Sequence, residues 1–143
     1  LTDNSKKNPL HYAVESGCPE NVKTLLDNGV DHTWQDNFEH DAFNTLISFR
    51  KNENMEIFEL LIKAGSDINL KDIDKKTPLI IASEKGHANY MKRLIELKAS
   101  PLHKDYKGKT ALDYATENYD KKVIGHEIFN LLSDYTNAVK GNL

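Results

Sequence analysis

Cysteine is almost absent from this chain of 143 residues, which contains one, Cys18. A single cysteine cannot form an internal disulfide, so the composition favours an intracellular, most simply cytoplasmic, protein. Long apolar runs and a signal-peptide pattern are missing too, and we therefore expect no membrane insertion. The net charge of −3 argues against nucleic-acid binding.

Patterns of catalytic and metal-binding residues are equally scarce. The six histidines are scattered without a cysteine or histidine pair at the spacing of a zinc site, and no glycine-rich phosphate loop occurs. Cys18 lies between a turn glycine and Pro19 with no activating base marked nearby, so we interpret it as a small turn residue rather than a nucleophile. We expect no catalytic site, no cofactor and no bound metal.

The chain does contain a helix start that recurs at spacings of 33, 36 and 33 residues, at Asn8, Asp41, Thr77 and Thr110. Each is a residue type whose side chain accepts a hydrogen bond from the first helical turn. Proline follows two of them, at the position where its missing N–H costs nothing, and Gly86 is placed to end the third short helix. The spacing predicts four similar units.

Two further features repeat in the same register. An aspartate precedes each cap by five residues, and we expect its carboxylate to bond backbone N–H groups in a turn; a metal site is the alternative. These aspartates are Asp3, Asp36, Asp72 and Asp105. Apolar stripes at helical spacing predict a second helix in each unit. They are Val22/Leu25/Leu26, Phe58/Leu61/Ile62, Met91/Leu94/Ile95 and Ile128/Leu131/Leu132. Units two and four hold three and four extra residues between their helices, near residues 50–54 and 118–122.

These residues resemble the ankyrin repeat, whose pattern is Asp-x-x-Gly-x-Thr-Pro-Leu-His-x-Ala, a Gly-His turn, an apolar second helix and a Gly-Ala-Asp exit. Units one and three carry the opening as Asn8-Pro9-Leu10-His11-Tyr12-Ala13 and Thr77-Pro78-Leu79, and Gly86-His87 matches the turn. The exits Gly29-Val30-Asp31 and Gly65-Ser66-Asp67 also fit. The resemblance implies an all-α ankyrin-repeat solenoid of stacked helix-turn-helix units with extended finger loops.

Several positions depart from the family pattern. Unit two lacks the proline, the histidine and the glycine, and unit three has Ile80 for histidine and Lys98 for the exit glycine. Unit four has Asp113 for histidine. The hydrogen bond that the family's histidine makes to the neighbouring unit is therefore expected for His11 alone.

We expect a single ankyrin repeat domain over residues 1–143, with repeats at about 3–35, 36–71, 72–104 and 105–139. The last helix, expected over about residues 121–139, has a polar outer side that suits a C-terminal cap. The chain begins at Leu1 without an initiator Met and with a regular unit, so we interpret it as a fragment of a larger protein with more repeats before Leu1.

The resemblance further implies a monomeric, non-catalytic module that binds a protein or peptide on its concave surface of finger tips and first-helix faces. The family's variable contact positions fall here on residues that are apolar where solvent is expected, or charged. We assign partner binding to Trp34, Asn37, Phe38, His40, Phe49, Ile73, Asp74, Lys76, Lys85, Tyr106, Lys107 and Lys109. The alternative is that some aromatic residues, Phe49 above all, fold inward, and that the charges form an ordinary solvated surface.

Two alternatives and one modification stay open. The chain could be a regulatory or targeting domain of a larger enzyme whose catalytic part lies elsewhere, or the lysines of its second half could bind phosphate groups or nucleic acid. Leu61, Asp67, Ile68 and Asn69 resemble the target pattern of ankyrin asparaginyl hydroxylases, which would modify Asn69. The simpler interpretation of Asn69 is a polar side chain in an exit loop.

Overall fold

The computed structural model describes residues 4–49 and 52–141, and over these residues the fold is all-α, as the sequence predicts. The helices follow one another as four antiparallel pairs, one pair to each unit. They are α1 (Pro9–Ser16) and α2 (Pro19–Asp27), α3 (Ala42–Phe49) and α4 (Met55–Ala64), α5 (Pro78–Lys85) and α6 (Ala88–Glu96), and α7 (Ala111–Asp120) and α8 (His126–Gly141). The predicted turn at Asp3 and the start of the insertion at residues 50–51 lie outside the described residues.

All four predicted helix starts are confirmed. The side chains of Asn8, Thr77 and Thr110 each accept a hydrogen bond from the backbone N–H three residues on, at 3.1, 3.3 and 3.3 Å. Asp41 does the same for Asn44, at 2.8 Å. A side-chain acceptor at this position satisfies one N–H of the first turn, which explains why such short helices begin where they do.

The helices stack in two rows. The first helices α1, α3, α5 and α7 pack on one another in order, and behind them α2 packs on α4 and α6 on α8. Leu10, Phe43 and Leu79 are fully buried between the rows together with the second-helix residues Phe58 and Leu94. Stacking of the repeats also predicts a buried Leu112 in unit four, but this residue is only partly buried, because no further first helix packs over α7 among the described residues.

The predicted start of the last helix near residue 121 is wrong. The helix α7 continues to Asp120, a turn follows, and α8 begins at His126. Lys122 adopts a left-handed conformation (φ 60°), and the amide of Val123 donates to the carbonyl of Asn118 at 2.8 Å. The apolar pattern of the expected helix predicts Val123 on its buried side, but this closure ends α7 and leaves the side chain of Val123 exposed.

Polar bonds between units take a different form at each step of the stack. His11 Nε2 donates to the carbonyl of His40 at 2.8 Å, as the family pattern implies. In unit two Asn44 stands where the histidine would be, and its amide donates to the carbonyl of Leu70 at 3.0 Å. Between units three and four the buried Asn118 amide donates to the carbonyls of Ser83 and Glu84, at 2.6 and 2.9 Å. Asn118 lies in the polar insertion near residues 118–122, which predicts a position on the surface, so its bridging role is a correction.

Candidate protein-binding surface

The fingers are the extended loops that lead into the first helices: finger two is residues 31–41, finger three is 67–77 and finger four is 100–110. Each is built around a buried aspartate, namely Asp36, Asp72 or Asp105. One carboxylate oxygen of each accepts hydrogen bonds from the amides two and four residues on, at 2.8–3.0 Å. The predicted role of these aspartates in turns is thereby confirmed. Among the described residues, no group of three or more potential metal ligands occurs.

Backbone hydrogen bonds join the finger tips into a row. The amide that follows each finger aspartate donates to a carbonyl of the preceding finger. These bonds are Asn37 N to Ser5 O at 3.0 Å, Ile73 N to Phe38 O at 3.0 Å and Tyr106 N to Asp74 O at 3.1 Å. The same bond repeats in the same register three times, so the tips form one continuous edge.

The apolar residues that we assigned to this surface are all exposed. Phe38, Ile73 and Tyr106 on the finger tips are 59, 55 and 61% exposed, and Phe49 at the end of α3 is 56% exposed. Trp34 is exposed as well, and its indole N–H donates to the carbonyl of Lys6 at 2.7 Å, which holds the ring against the loop before α1. The alternative in which Phe49 turns into the core does not occur.

The lysines near the finger bases form ion pairs with the first helices across the groove, which is the concave space between the fingers and those helices. Lys76 Nζ lies 2.8 Å from Glu84 at the end of α5, and Lys109 pairs in the same way with Glu117 on α7. Burial opposes the charge of Lys76, but the hydrogen bond with Glu84 and the nearby carboxylates of Glu84, Asp74 and Asp105 together outweigh it, and the pKa of Lys76 is raised. The hydrogen bond with Glu117 likewise raises the pKa of Lys109. These two lysines brace the fingers against the first helices.

Unit two lacks this pair, because His40 and Ser48 occupy the lysine and glutamate positions. His40 is half-buried, and its Nε2 donates instead to Asp72 Oδ2 at 3.0 Å in the next finger. Burial of Asp72 disfavours its charge, but the bonds from His40 and two backbone amides outweigh this and lower its pKa. His40 therefore joins fingers two and three rather than standing free in the groove.

The remaining assigned residues are exposed at the surface. The amide side chain of Asn37 donates to the carbonyl of Asn4 at 2.9 Å, and Lys107 Nζ lies 5.6 Å from the centre of the Tyr106 ring. Asp74 and Lys85 are exposed at the tip of finger three and at the end of α5. The groove therefore presents an apolar row flanked by charges of both signs.

Asn69, the predicted hydroxylation target, is half-buried in the loop after α4. Its side-chain oxygen accepts a hydrogen bond from the amide of Ser100 at 2.9 Å, and its own amide donates to Asp67 at 2.9 Å. The side chain thus links the exits of units two and three, and its hydroxylation stays a prediction.

Comparison with known families bears directly on this architecture. The family description "Ankyrin repeats (3 copies)" matches residues 46–141, and "Ankyrin repeat" matches residues 5–37. The chain belongs to the ankyrin repeat family. Ankyrin repeats are in general non-catalytic modules for protein–protein interaction, and this is the class of function that the fold carries.

The relatives include proteins of very different kinds. The chain is 29% identical over 123 residues to a transient receptor potential cation channel subfamily A member 1 homolog of Caenorhabditis elegans, covering 86% of this chain. It is 34% identical over 72 residues, half of this chain, to inversin of Gallus gallus. It is 27% identical over 124 residues to an L-asparaginase of Dirofilaria immitis, covering 87% of this chain. The ankyrin repeats matched here span 10, 6 and 20% of those proteins, respectively.

Within the described residues, no helix is both long and apolar enough to cross a bilayer.

Proposed function

We propose that this ankyrin repeat domain binds a protein or peptide on its concave surface, across the finger tips and the exposed faces of the first helices. The observation that carries the proposal is the row of exposed apolar side chains at the tips, Phe38, Ile73 and Tyr106, on backbones tied together by hydrogen bonds. Exposed aromatic residues are typical energetic centres of interfaces. Because the backbone beneath them is already ordered, little conformational entropy is lost on binding.

The flanking charges give the surface a direction. Finger two exposes Asp31 and Glu39 and has no lysine or arginine, whereas finger four exposes Lys104 and Lys107 and its one aspartate is buried. A ligand with a basic end and an acidic end is favoured in one orientation along such a gradient. The proposal therefore includes a preferred polarity for the bound polypeptide.

The test compares affinities for a partner isolated by affinity capture, measured by calorimetry with purified proteins. We expect Phe38→Ala and Tyr106→Ala each to weaken binding at least tenfold, since each removes an exposed anchor from the row. Val123→Ala is the matched control, because it removes a side chain of similar exposure from the α7–α8 turn, away from the finger row. Wild-type affinity in both tip variants would place the interface elsewhere.

We propose as the second candidate a regulatory or targeting role for a catalytic part of the same polypeptide that lies outside these residues. The similarity to the L-asparaginase of Dirofilaria immitis, together with the small share of each relative that is matched, supports it. Activity of the full-length protein, compared with that of a form that lacks residues 1–143, would separate the two candidates. A change in kcat or KM without a separate partner favours the second.

The proposal includes the organisation of the chain. Residues 1–143 act as one domain of four repeats, at about 3–35, 36–71, 72–104 and 105–139, and as a monomer in the cytoplasm. The continuous row of first helices supports the single domain. The single cysteine, half-buried between α1 and α2, supports a reducing compartment.

A further inference from the structure

A pocket of about 350 Å³ opens on the concave side of unit two, between finger two and α3. Its lining includes the exposed rings of Phe38 and Phe49 and, deeper, Asp36 and Thr45. The pocket lies inside the surface to which we assigned partner binding. The corresponding position in the other units shows which side chain this space accommodates.

The ninth residue after the finger aspartate fills this space in the later units. In unit four it is Tyr114, which is buried and whose hydroxyl donates to the second carboxylate oxygen of Asp105. Two ammonium groups lie near the ring, Lys76 Nζ at 5.7 Å and Lys109 Nζ at 5.0 Å from its centre. In unit three the position is Ile81, which is buried and fills the space with apolar atoms.

In unit two the ninth residue is Thr45, and its side chain is too short to fill the space. Its hydroxyl is buried and has no hydrogen-bond partner in the described part of the chain. The first oxygen of Asp36 accepts bonds from the amides of Phe38 and His40, and none of the described residues donates to the second. The pocket thus keeps the carboxylate that binds a phenol in unit four but lacks the phenol.

The other departures of unit two keep this space open. Where unit three has the Lys76–Glu84 pair, unit two has His40, which is turned to Asp72, and the small Ser48. On the other side the ammonium of Lys7, which is paired with Glu15, lines the pocket at 5.9 Å from the centre of the Phe49 ring. Lys7 corresponds to the lysine of the preceding unit that lies against Tyr114.

We propose that this pocket receives a tyrosine side chain of the bound polypeptide, whose hydroxyl donates to the free oxygen of Asp36 as Tyr114 donates to Asp105. The ring lies against Phe38 and Phe49, in the offset or edge contacts that aromatic pairs prefer. The inference rests on the proposed function, because the tyrosine belongs to the polypeptide held on the concave surface.

Three other side chains fit the pocket less well. Phenylalanine fills the same volume but excludes water from Asp36 without supplying a donor, which leaves a charged acceptor unsatisfied. Arginine or lysine supplies donors, but neither places an aromatic ring against Phe38 and Phe49. Tyrosine supplies a neutral donor on an aromatic ring.

The test titrates the ¹⁵N-labelled chain with N-acetyl-L-tyrosinamide, N-acetyl-L-phenylalaninamide and N-acetyl-L-argininamide, and follows amide shifts by NMR. We expect the tyrosine probe to shift the amides of Phe38, Thr45 and Phe49, with a dissociation constant at least fivefold below that of the phenylalanine probe. Equal binding of these two probes, tighter binding of the arginine probe, or shifts confined to other residues would each overturn the proposal.

Variants that fill the pocket give a second test. Thr45→Tyr places the side chain of Tyr114 in unit two, so it should abolish the response to the probe and raise the melting temperature more than Thr45→Phe does. A Thr45→Tyr protein that still binds the probe in this pocket contradicts the proposal. If that variant does not fold, Phe38→Ala, which changes an exposed side chain, should weaken the tyrosine probe at least threefold; unchanged binding rejects the assignment.

This experiment fails independently of the proposed function, because the probe needs no partner. If the tip variants bind the partner more weakly but the tyrosine probe does not bind in the pocket, the tyrosine assignment is wrong and the proposed concave binding surface is retained. If the pocket takes the probe but both tip variants keep the partner at full affinity, the surface is wrong and the pocket is a phenol site of another kind.

Discussion

Several non-glycine residues in the turns of the fingers and exits adopt a left-handed, strained backbone conformation. The third residue after each finger aspartate is left-handed, with φ of 59° at Glu39, 61° at Lys75 and 76° at Gly108. The exit of unit three repeats the situation, since Lys98 (φ 65°) stands where Gly29 and Gly65 serve in the earlier units. A side chain in this region costs about 1–2 kcal/mol, and glycine escapes most of that cost.

We expect Lys75→Gly to raise the free energy of unfolding by about 0.5–1 kcal/mol, measured by urea denaturation, because the relief of strain exceeds the added entropy of the unfolded chain. The reverse change, Gly108→Ala, should lower it by about 1 kcal/mol. No atom lies within 4 Å of the Cβ that this alanine would add, so its cost is conformational alone. A lower urea midpoint for Lys75→Gly would contradict the interpretation.

The ionisation of the Asp41 side chain makes the stability of the fold depend on pH. Burial raises its pKa to about 6, even though the amide of Asn44 donates to it. The folded state thus binds the proton more tightly than the unfolded chain does, and stability from this group falls as pH rises from about 4 to about 6.

We expect Asp41→Asn to keep the cap at the start of α3 and to remove this part of the pH dependence. A shift of about two pKa units corresponds to about 2–3 kcal/mol, so the variant should gain up to that amount over the wild type between pH 4 and 7. Urea denaturation at both pH values measures the change. Parallel curves for the two proteins across this range would show that Asp41 is not the group responsible.

At the scale of helices, the sequence predicts the boundaries of a helix well when a capping side chain marks its start and a glycine marks its end. The helix α5 begins after Thr77 and ends at Gly86, as the cap and the glycine indicate. The boundary between α7 and α8 was predicted wrongly because the left-handed residue there is Lys122, which nothing in the sequence marks. A lysine reaches that conformation only because the surrounding contacts impose it, and those contacts are not local.

The stripes of the second helices differ in depth from unit to unit. Leu94 is fully buried, whereas Leu25, at the same position of unit one, is half-buried. We expect Leu94→Ala to lower the free energy of unfolding by about 2–5 kcal/mol, through lost burial and the cavity left behind. Leu25→Ala is the matched control and should cost less than half as much in urea denaturation. Equal losses would show that stacking does not set the depth of the core.

For the whole molecule, the sequence predicts the surface better than its contacts. The exposure of Trp34, Phe38 and Tyr106 was expected from the register of the repeats and is confirmed. The ion pair between Lys76 and Glu84 was not predicted, because it joins residues eight apart in a loop and a helix, for which no local spacing rule exists. A comparison of position nine across the units would have shown that unit two alone has a short side chain.

The row of finger tips makes a prediction about dynamics. The side chains of Ile73 and Tyr106 are exposed, yet their amides donate to the preceding finger. We expect hydrogen exchange at these two amides to be at least tenfold slower than at Lys104, which lies in a finger but donates no hydrogen bond in the described part of the chain. Equally fast exchange at all three would mean that the fingers open separately.

The irregular second unit has a consequence for how a ligand is positioned. A groove made of identical modules offers the same contacts at every step, so a long ligand could slide by one module and bind almost as well. Here Thr45, His40 and Ser48 interrupt the series between regular neighbours. That interruption breaks the translational symmetry of the groove. A ligand then has a single alignment in which its anchor side chain enters the pocket of unit two.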